Sequence, residues 1–282
     1  MTDVLRQFQA YGLCPRKDLV IGNLTRCEVE GDTGTKKSGW YVLHEVWLNN
    51  GDRVLVGRFG NWKMSTPPEG IPVEFEKRGQ FNADDAVRIQ QAQQEAAERA
   101  SKEKAERQRE AAERATKIWD GLPEGGASEY LVRKKVSNHG VRFTNGRIVV
   151  PVRTIKGELV GLQFIDGDGA KRFLTGTAKQ GAFHLIGEVR DVPDQVLAVG
   201  EGYATCATVH ETMQWPVAVA FDAGNLKPVA AALRSKYRKA QIIILADNDA
   251  ATEGNPGVIK ATEAAAAVSG KVLVPDFSGV AA

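Results

Sequence analysis

Cysteine is scarce in this chain: Cys14, Cys27 and Cys206 are the three present among 282 residues, odd in number and far apart. Such spacing excludes a disulfide framework and fits a reducing compartment. No C-x-x-C pair occurs, so no zinc is expected. The opening residues, MTDVLRQFQAYGL, lack the apolar core of a signal peptide, and no apolar run reaches bilayer-spanning length. A cytoplasmic protein without membrane contact is the expectation. No G-x-x-x-x-G-K-S/T stretch occurs, which excludes a P-loop ATPase within these residues. Glycine and proline themselves vanish between Asp84 and Trp119.

What is present can fold. Hydrophobic residues make up 43% of the chain, enough for real cores, and the length suits one large domain or two to three small ones. The net charge of +2 conceals an uneven distribution. Residues 121–190 hold 11 Lys and Arg against 6 Asp and Glu, whereas residues 191–282 hold 7 against 10. A positive surface displaces counterions from nucleic-acid phosphate, and clustered carboxylates gather divalent cations. Ordinary variation of surface charge gives the same asymmetry, so charge alone does not decide.

Four segments differ in pattern. Residues 1–82 alternate apolar runs with Gly and charged turns, and NNGD at Asn49–Asp52 is a hairpin signal, so a small β-rich module is expected. Its Trp40, Tyr41, Phe59 and Trp62 suit a small β core first and base stacking second. Residues 83–120 are rich in Ala, Glu, Gln, Lys and Arg, with Glu95/Arg99, Glu98/Lys102, Glu103/Arg107, Glu110/Arg114 and Glu113/Lys117 in the favourable acid-then-base order. That predicts a long charged helix, read as a solvated connector because large apolar residues are missing from its middle. Residues 121–190 form a strand-rich basic region in which DGDGA, Asp166–Ala170, reads as a hairpin turn rather than a calcium loop, lacking the later ligands. Residues 191–282 alternate strand and helix with short links: QVLAVGE, YATCATVHETM, PVAVAFD, KPVAAALRSKY, QIIILADND, GVIKATEAAAAV and KVLVP. Short-linked alternation implies right-handed crossovers and a parallel sheet covered on both faces.

In such a sheet Glu201, Asp222 and Asp247 each lie just past the carboxyl end of a buried strand, with Asp249 two residues further on. Open α/β sheets place their sites on that rim. Any one such acid is commonly a loop residue or helix cap, and Asp222 in FDAGNLKP reads equally well that way. Three successive strand ends plus a D-x-D point instead to a cation site, and hard oxygen ligands suit Mg²⁺ or Mn²⁺.

The stretches VLAVGEGYATCATV, VAVAFDAGNL and IIILADNDA resemble the Toprim domain of phage and plasmid primases, whose marks are a strand-end Glu-Gly, here Glu201-Gly202, and a strand-end D-x-D, here Asp247-Asn248-Asp249. The preceding GRIVVPVRTIKGELVGLQFIDGDGAKRFLTGTAKQGAFHLIG is similar to the basic subdomain of these enzymes, and RCEVEG, GWYVLH and GRFGNWK more loosely resemble their leading module. The fold class expected is therefore α/β: a parallel, Rossmann-like Toprim sheet at the C-terminus, preceded by a β-rich basic subdomain, a long charged helix and a small β-rich N-terminal module.

The resemblance implies a DNA-directed RNA polymerase of the primase type, a nucleotidyltransferase making short RNA primers on a single-stranded DNA template from ribonucleoside triphosphates in phage or plasmid replication. It implies Glu201, Asp247 and Asp249 as catalytic metal holders, with Asp222 as helper, and Gly202 as the point of tight turning. Lys171, Arg172 and Lys179, with Arg147 and Arg153, would face template or triphosphate. A replicative helicase would be separately encoded. The competing readings are a non-catalytic DNA-binding replication accessory protein and another Toprim enzyme, a nuclease.

Overall fold

The computed structural model describes residues 2–15, 18–34, 37–64, 70–74, 82–247 and 256–274. Contacts divide the chain into Met1–Glu106 and Arg107–Ala282. Among the described residues no helix is long and apolar enough to cross a membrane.

The first unit opens with helix α1 (Thr2–Ala10) and strands β1 (Leu13–Cys14), β2 (Thr25–Val29), β3 (Gly39–Trp47), β4 (Arg53–Asn61) and β5 (Ile71–Pro72), forming one antiparallel sheet in sequential order. The β3–β4 hairpin runs in register from Gly39↔Asn61 to Trp47↔Arg53. Its NNGD turn closes through Leu48 N donating to Asp52 O at 2.9 Å, with Gly51 at φ +85°, a conformation that glycine adopts without cost. One face of the sheet packs Phe8, Leu13, Cys27, Val29, Tyr41, Leu43 and Phe59. The other buries Trp40 and Val42, so Trp40, Tyr41 and Phe59 are core residues; Trp62, 40% exposed, lies under the Arg26 guanidinium, 3.9 Å from the ring.

Helix α2 (Ala83–Asp120) is the long element expected, but it is not solvated along its length. Within the first unit Ile89 packs on Val46, Leu48 and Val56, and Ala96 and Ala100 pack on Trp40 and Val42. Its C-terminal turns belong to the second unit, where Ala115 joins Val149 and Leu162. The apolar stripe escapes a search for large residues because it is built of alanine, which lets backbones approach closely. Arginines also leave their expected helical partners: Arg114 donates to Thr175 O at 2.8 Å, and Arg99 to Gly22 O.

The second unit continues with α3 (Glu129–Lys134) and an antiparallel sheet of β6 (Arg142–Thr144), β7 (Arg147–Arg153), β8 (Leu159–Ile165) and β9 (Lys171–Phe173). DGDGA is the β8–β9 turn, closed by Asp166 N to Ala170 O at 2.9 Å. Then follow β10 (His184–Ile186), β11 (Val196–Gly200), α4 (Tyr203–Met213), β12 (Val217–Val219), α5 (Ala223–Lys236), β13 (Gln241–Leu245), α6 (Pro256–Ala267) and β14 (Lys271–Leu273). The C-terminal sheet has the order β10-β12-β11-β13-β14, parallel except for β10, which pairs antiparallel with β12.

Two cores sandwich this sheet. Tyr203, Cys206, Ala207 and Val209 of α4 pack on one face together with Ile148, Val150 and Val152 of β7. Leu226, Val229 and Leu233 of α5 and Ala261, Ala264 and Val268 of α6 cover the other. Full burial on both sides explains the unbroken apolar runs of β11 and β13.

Candidate active site

From β11 the chain crosses to β12 on one side, then returns past β11 to β13 on the other, so neighbouring strands β11 and β13 send their helices to opposite faces. The crevice between their carboxyl ends is the switch point at which open α/β sheets bind ligands. Glu201 follows β11 and Asp247 lies two residues past β13, so the structure brings these two acids to that crevice. Val199 pairs with Ile244, Gly200 O receives the Ala220 amide at 2.7 Å, and Glu201 O receives the Phe221 amide at 2.9 Å, which fixes the level of all three strand ends. Asn248 and Asp249 lie outside the described residues.

Behind the crevice sits the fully buried thiol of Cys206, one turn into α4. Burial pushes its pKa up, the negative charge of Asp247 adds to the rise, that of Glu201 contributes too, and Lys171 opposes them. The thiol thus feels two acids and one cation of the rim. Lys171 Nζ lies 3.5 Å from the point where a β-carbon on Gly202 would stand. Gly202 itself has φ −95°, which any residue adopts, so openness rather than a tight turn is what glycine supplies there.

A cavity of about 390 Å³ opens on this spot, lined by Asp247, Gly202, Thr205, Lys171, Asp168 and, from α3, Tyr130, Arg133 and Lys134. Among the described residues no hydrogen bond or ion pair is formed by the side chains of Lys171, Arg133 or Lys134. Asp247 and Asp168 thus share the cavity wall with three cations, Lys171, Arg133 and Lys134, while Glu201 precedes the lining residue Gly202. Two carboxylates from adjacent strands are hard donors of the kind Mg²⁺ or Mn²⁺ takes. Among the described residues no cluster of three His, Cys, Asp or Glu side chains is formed.

The remaining candidates do not line that cavity. Asp222 caps α5, accepting from Asn225 N at 3.2 Å, and forms an ion pair with Lys179. Arg147 binds Asp166 at 2.6 Å and Arg172 binds the other oxygen of that carboxylate, so both are engaged at the β8–β9 turn. Arg153, at the far end of β7 from Arg147, donates to Gly157 O at 2.9 Å in a separate crevice with Phe183 and His184. Burial holds its pKa below the usual value. Arg133 and Lys134 were not singled out from sequence; the run VRKK after an apolar Tyr-Leu pair was the available signal.

Residues 196–278 match the Toprim domain family model. Two proteins of Escherichia coli, each named DNA primase TraC, are similar in sequence: one is 34% identical over 271 residues, covering 92% of this chain and 24% of its own length. The other is 31% identical over 273 residues, covering 92% and 18%. The chain thus spans about a quarter or less of the length of these relatives. Among solved structures, the primase fragment of the bacteriophage T7 primase-helicase protein is similar at 19% identity, covering 56% of this chain and 72% of that one with a TM-score of 0.40. Residues 196–278 thus match the Toprim domain, within a sequence similar to DNA primases of Escherichia coli.

Proposed function

We propose that this chain contains the nucleotidyl-transfer core of a DNA primase, joining ribonucleotides into short primers on single-stranded DNA. The observation that carries the reading is the position of Glu201 and Asp247 just past the ends of the adjacent parallel strands β11 and β13, with Lys171 beside Gly202. In the reaction a 3′-hydroxyl attacks the α-phosphorus of a ribonucleoside triphosphate; the new O–P bond forms, pyrophosphate leaves with the electron pair of the broken bond, and the hydroxyl proton is released. Glu201 and Asp247, with Asp249 as the expected third acid, would hold Mg²⁺ or Mn²⁺, which would supply charge stabilisation on the phosphoryl and leaving oxygens.

The chain's own groups orient the substrate. Lys171, Arg133 and Lys134 attract phosphate from the cavity wall, and Gly202 leaves room for it at the start of α4. In this reading residues 121–190 are the basic subdomain and residues 191–282 the catalytic one, with residues 83–120 linking them to an N-terminal module of residues 1–82. In this reading the chain acts in plasmid or phage replication in the cytoplasm, beside a separately encoded helicase.

The test is direct. Purified chain, single-stranded DNA, labelled ribonucleotides and Mg²⁺ or Mn²⁺ should yield short oligoribonucleotides that disappear with a chelator. No product with either metal on several templates overturns the reading.

A further inference from the structure

Phe221 is buried and stands at φ +76°, the left-handed region that a bulky side chain occupies only under constraint. It separates the end of β12 from the cap of α5, with its amide on Glu201 O and its ring edge-on to Phe173 at 5.5 Å. The turn this enforces aims the next residue, Asp222, across the rim at Lys179. The loop carrying that lysine is held by one buried side chain. Asn225 accepts from Gly181 N at 2.8 Å through Oδ1, and its Nδ2 donates to Lys179 O at 3.1 Å, Ala182 O at 3.0 Å and Ala220 O at 2.9 Å.

The Lys179–Asp222 pair itself is about two-fifths exposed on either side, and such pairs contribute little to stability. Yet a strained aromatic and a saturated buried amide are committed to its geometry. The place it occupies explains why. Lys171 and Phe173 are two apart on β9 and share a face; Lys171 reaches Gly202 after β11, while Phe173 reaches Phe221 after β12, with Lys179 Nζ 5.6 Å from its ring centroid. The Lys179 ammonium therefore stands by the end of β12, as Lys171 stands by the end of its neighbour β11. One of its three N–H donors is used by Asp222, which leaves two to offer. Both Asp222 oxygens already accept, one from that ammonium and one from the α5 amide it caps, so a cation there would compete with both.

We propose that Asn225 and Asp222 are positioning residues that present the Lys179 ammonium to a phosphate oxygen of the nucleoside triphosphate at the β12 side of the rim, and that Asp222 is not a metal ligand. This rests on the nucleotidyl-transfer reading for its substrate class.

The experiment measures three quantities on the full chain: the affinity for Mn²⁺ alone, the affinity for ATP in Mg²⁺, and the KM and kcat of ribonucleotide incorporation. Lys179→Met should weaken ATP binding about tenfold, the size of one charge-assisted hydrogen bond, and Lys179→Arg should restore most of it. Asp222→Asn and Asn225→Ala should each weaken ATP binding by about fivefold, raising KM more than they lower kcat. All four variants should keep the wild-type Mn²⁺ affinity, whereas Glu201→Gln should lose it. An Asp222→Asn variant that loses Mn²⁺ as Glu201→Gln does, or a Lys179→Met variant with unchanged ATP affinity, overturns the proposal. Asn225 is buried, so its variant is read only if its melting curve remains cooperative; Asp222→Asn and Lys179→Met are surface changes and decide the matter without it. If the ATP affinities move as stated but the wild type makes no primers, the functional reading fails and the positioning role stands. If primers are made and the affinities do not move, the positioning role fails alone.

Discussion

The amide of Phe221 donates to the carbonyl of Glu201 at 2.9 Å, so the strand end that carries the rim's glutamate is tied directly to the strained turn beside it. The main chain that carries Glu201 is thus fixed by backbone bonds of a fully covered sheet. Glu201→Gln or Asp247→Asn should accordingly leave the fold intact while lowering nucleotidyl transfer by at least about a hundredfold. The melting temperature without metal should stay equal or rise as carboxylate repulsion is relieved. Primer synthesis at the wild-type rate in either variant would refute the assignment of the acids.

Charge removal should separate the basic residues that face the cavity from those already engaged. Lys171→Ala, Arg133→Ala and Lys134→Ala should weaken single-strand or triphosphate binding, each lost contact to single-stranded DNA flattening the log–log salt slope by about 0.7. Arg172→Ala, which breaks only a bond to Asp166, should change that slope far less. Salt titrations of binding to an oligonucleotide distinguish the two groups.

Acid should unfold the second unit through its buried histidine. Burial pushes the His184 pKa down from 6.5 to about 4. Between those values the unfolded chain takes up a proton that the folded one does not, so stability falls as pH drops from about 6.5 to 4. Burial alone would raise Glu211, but hydrogen bonds from Ser137 N and His139 outweigh it and hold its pKa below the ordinary value, so it adds its own loss further down. Denaturant midpoints measured across this range should shift with pH, and His184→Gln should blunt the upper part of the shift.

Tyr203 links the same region to α4: its hydroxyl accepts from His139 N at 2.8 Å and donates to Ser137 O at 3.2 Å. Tyr203→Phe leaves both backbone groups without that partner and should cost about 1–3 kcal/mol. Equilibrium unfolding of the purified variant gives the number, and a loss below about 0.5 kcal/mol would mean water replaces the hydroxyl.

The parallel sheet was legible because VLAVG and IIIL are unbroken apolar runs, and only a strand buried on both faces reads that way. Its acids were legible because they end those runs. Arg133 and Lys134 were not, since only tertiary packing turns α3 toward the crevice after β11 and β13. Asn225 hid in FDAGNL, which has the composition of a turn and gives no sign that its amide will be saturated by three carbonyls and a Gly181 N–H. The packing of α2 was concealed by its material: alanine is the default filler of any helix, so Ala96, Ala100, Ala111 and Ala115 look no different from the exposed alanines around them.

That packing bears on truncation. A fragment starting at residue 107 keeps Ala115, Ile118 and Trp119, whereas one starting at residue 121 exposes the face of Val149 and Leu162 that they cover. The longer fragment should be soluble with a cooperative melt and the shorter should aggregate or melt lower. Equal behaviour of the two would mean those contacts contribute nothing.

The placement of the thiols makes the chain its own stopwatch. Cys14 is exposed, while Cys27 is buried in the first unit, its pKa raised to about 12, and Cys206 is wholly enclosed in the second. Only a thiolate that meets solvent is alkylated. One label should therefore enter at once, and each later label should clock the opening of a different unit, so mass spectrometry of a single timed reaction reads two separate lifetimes from the native protein.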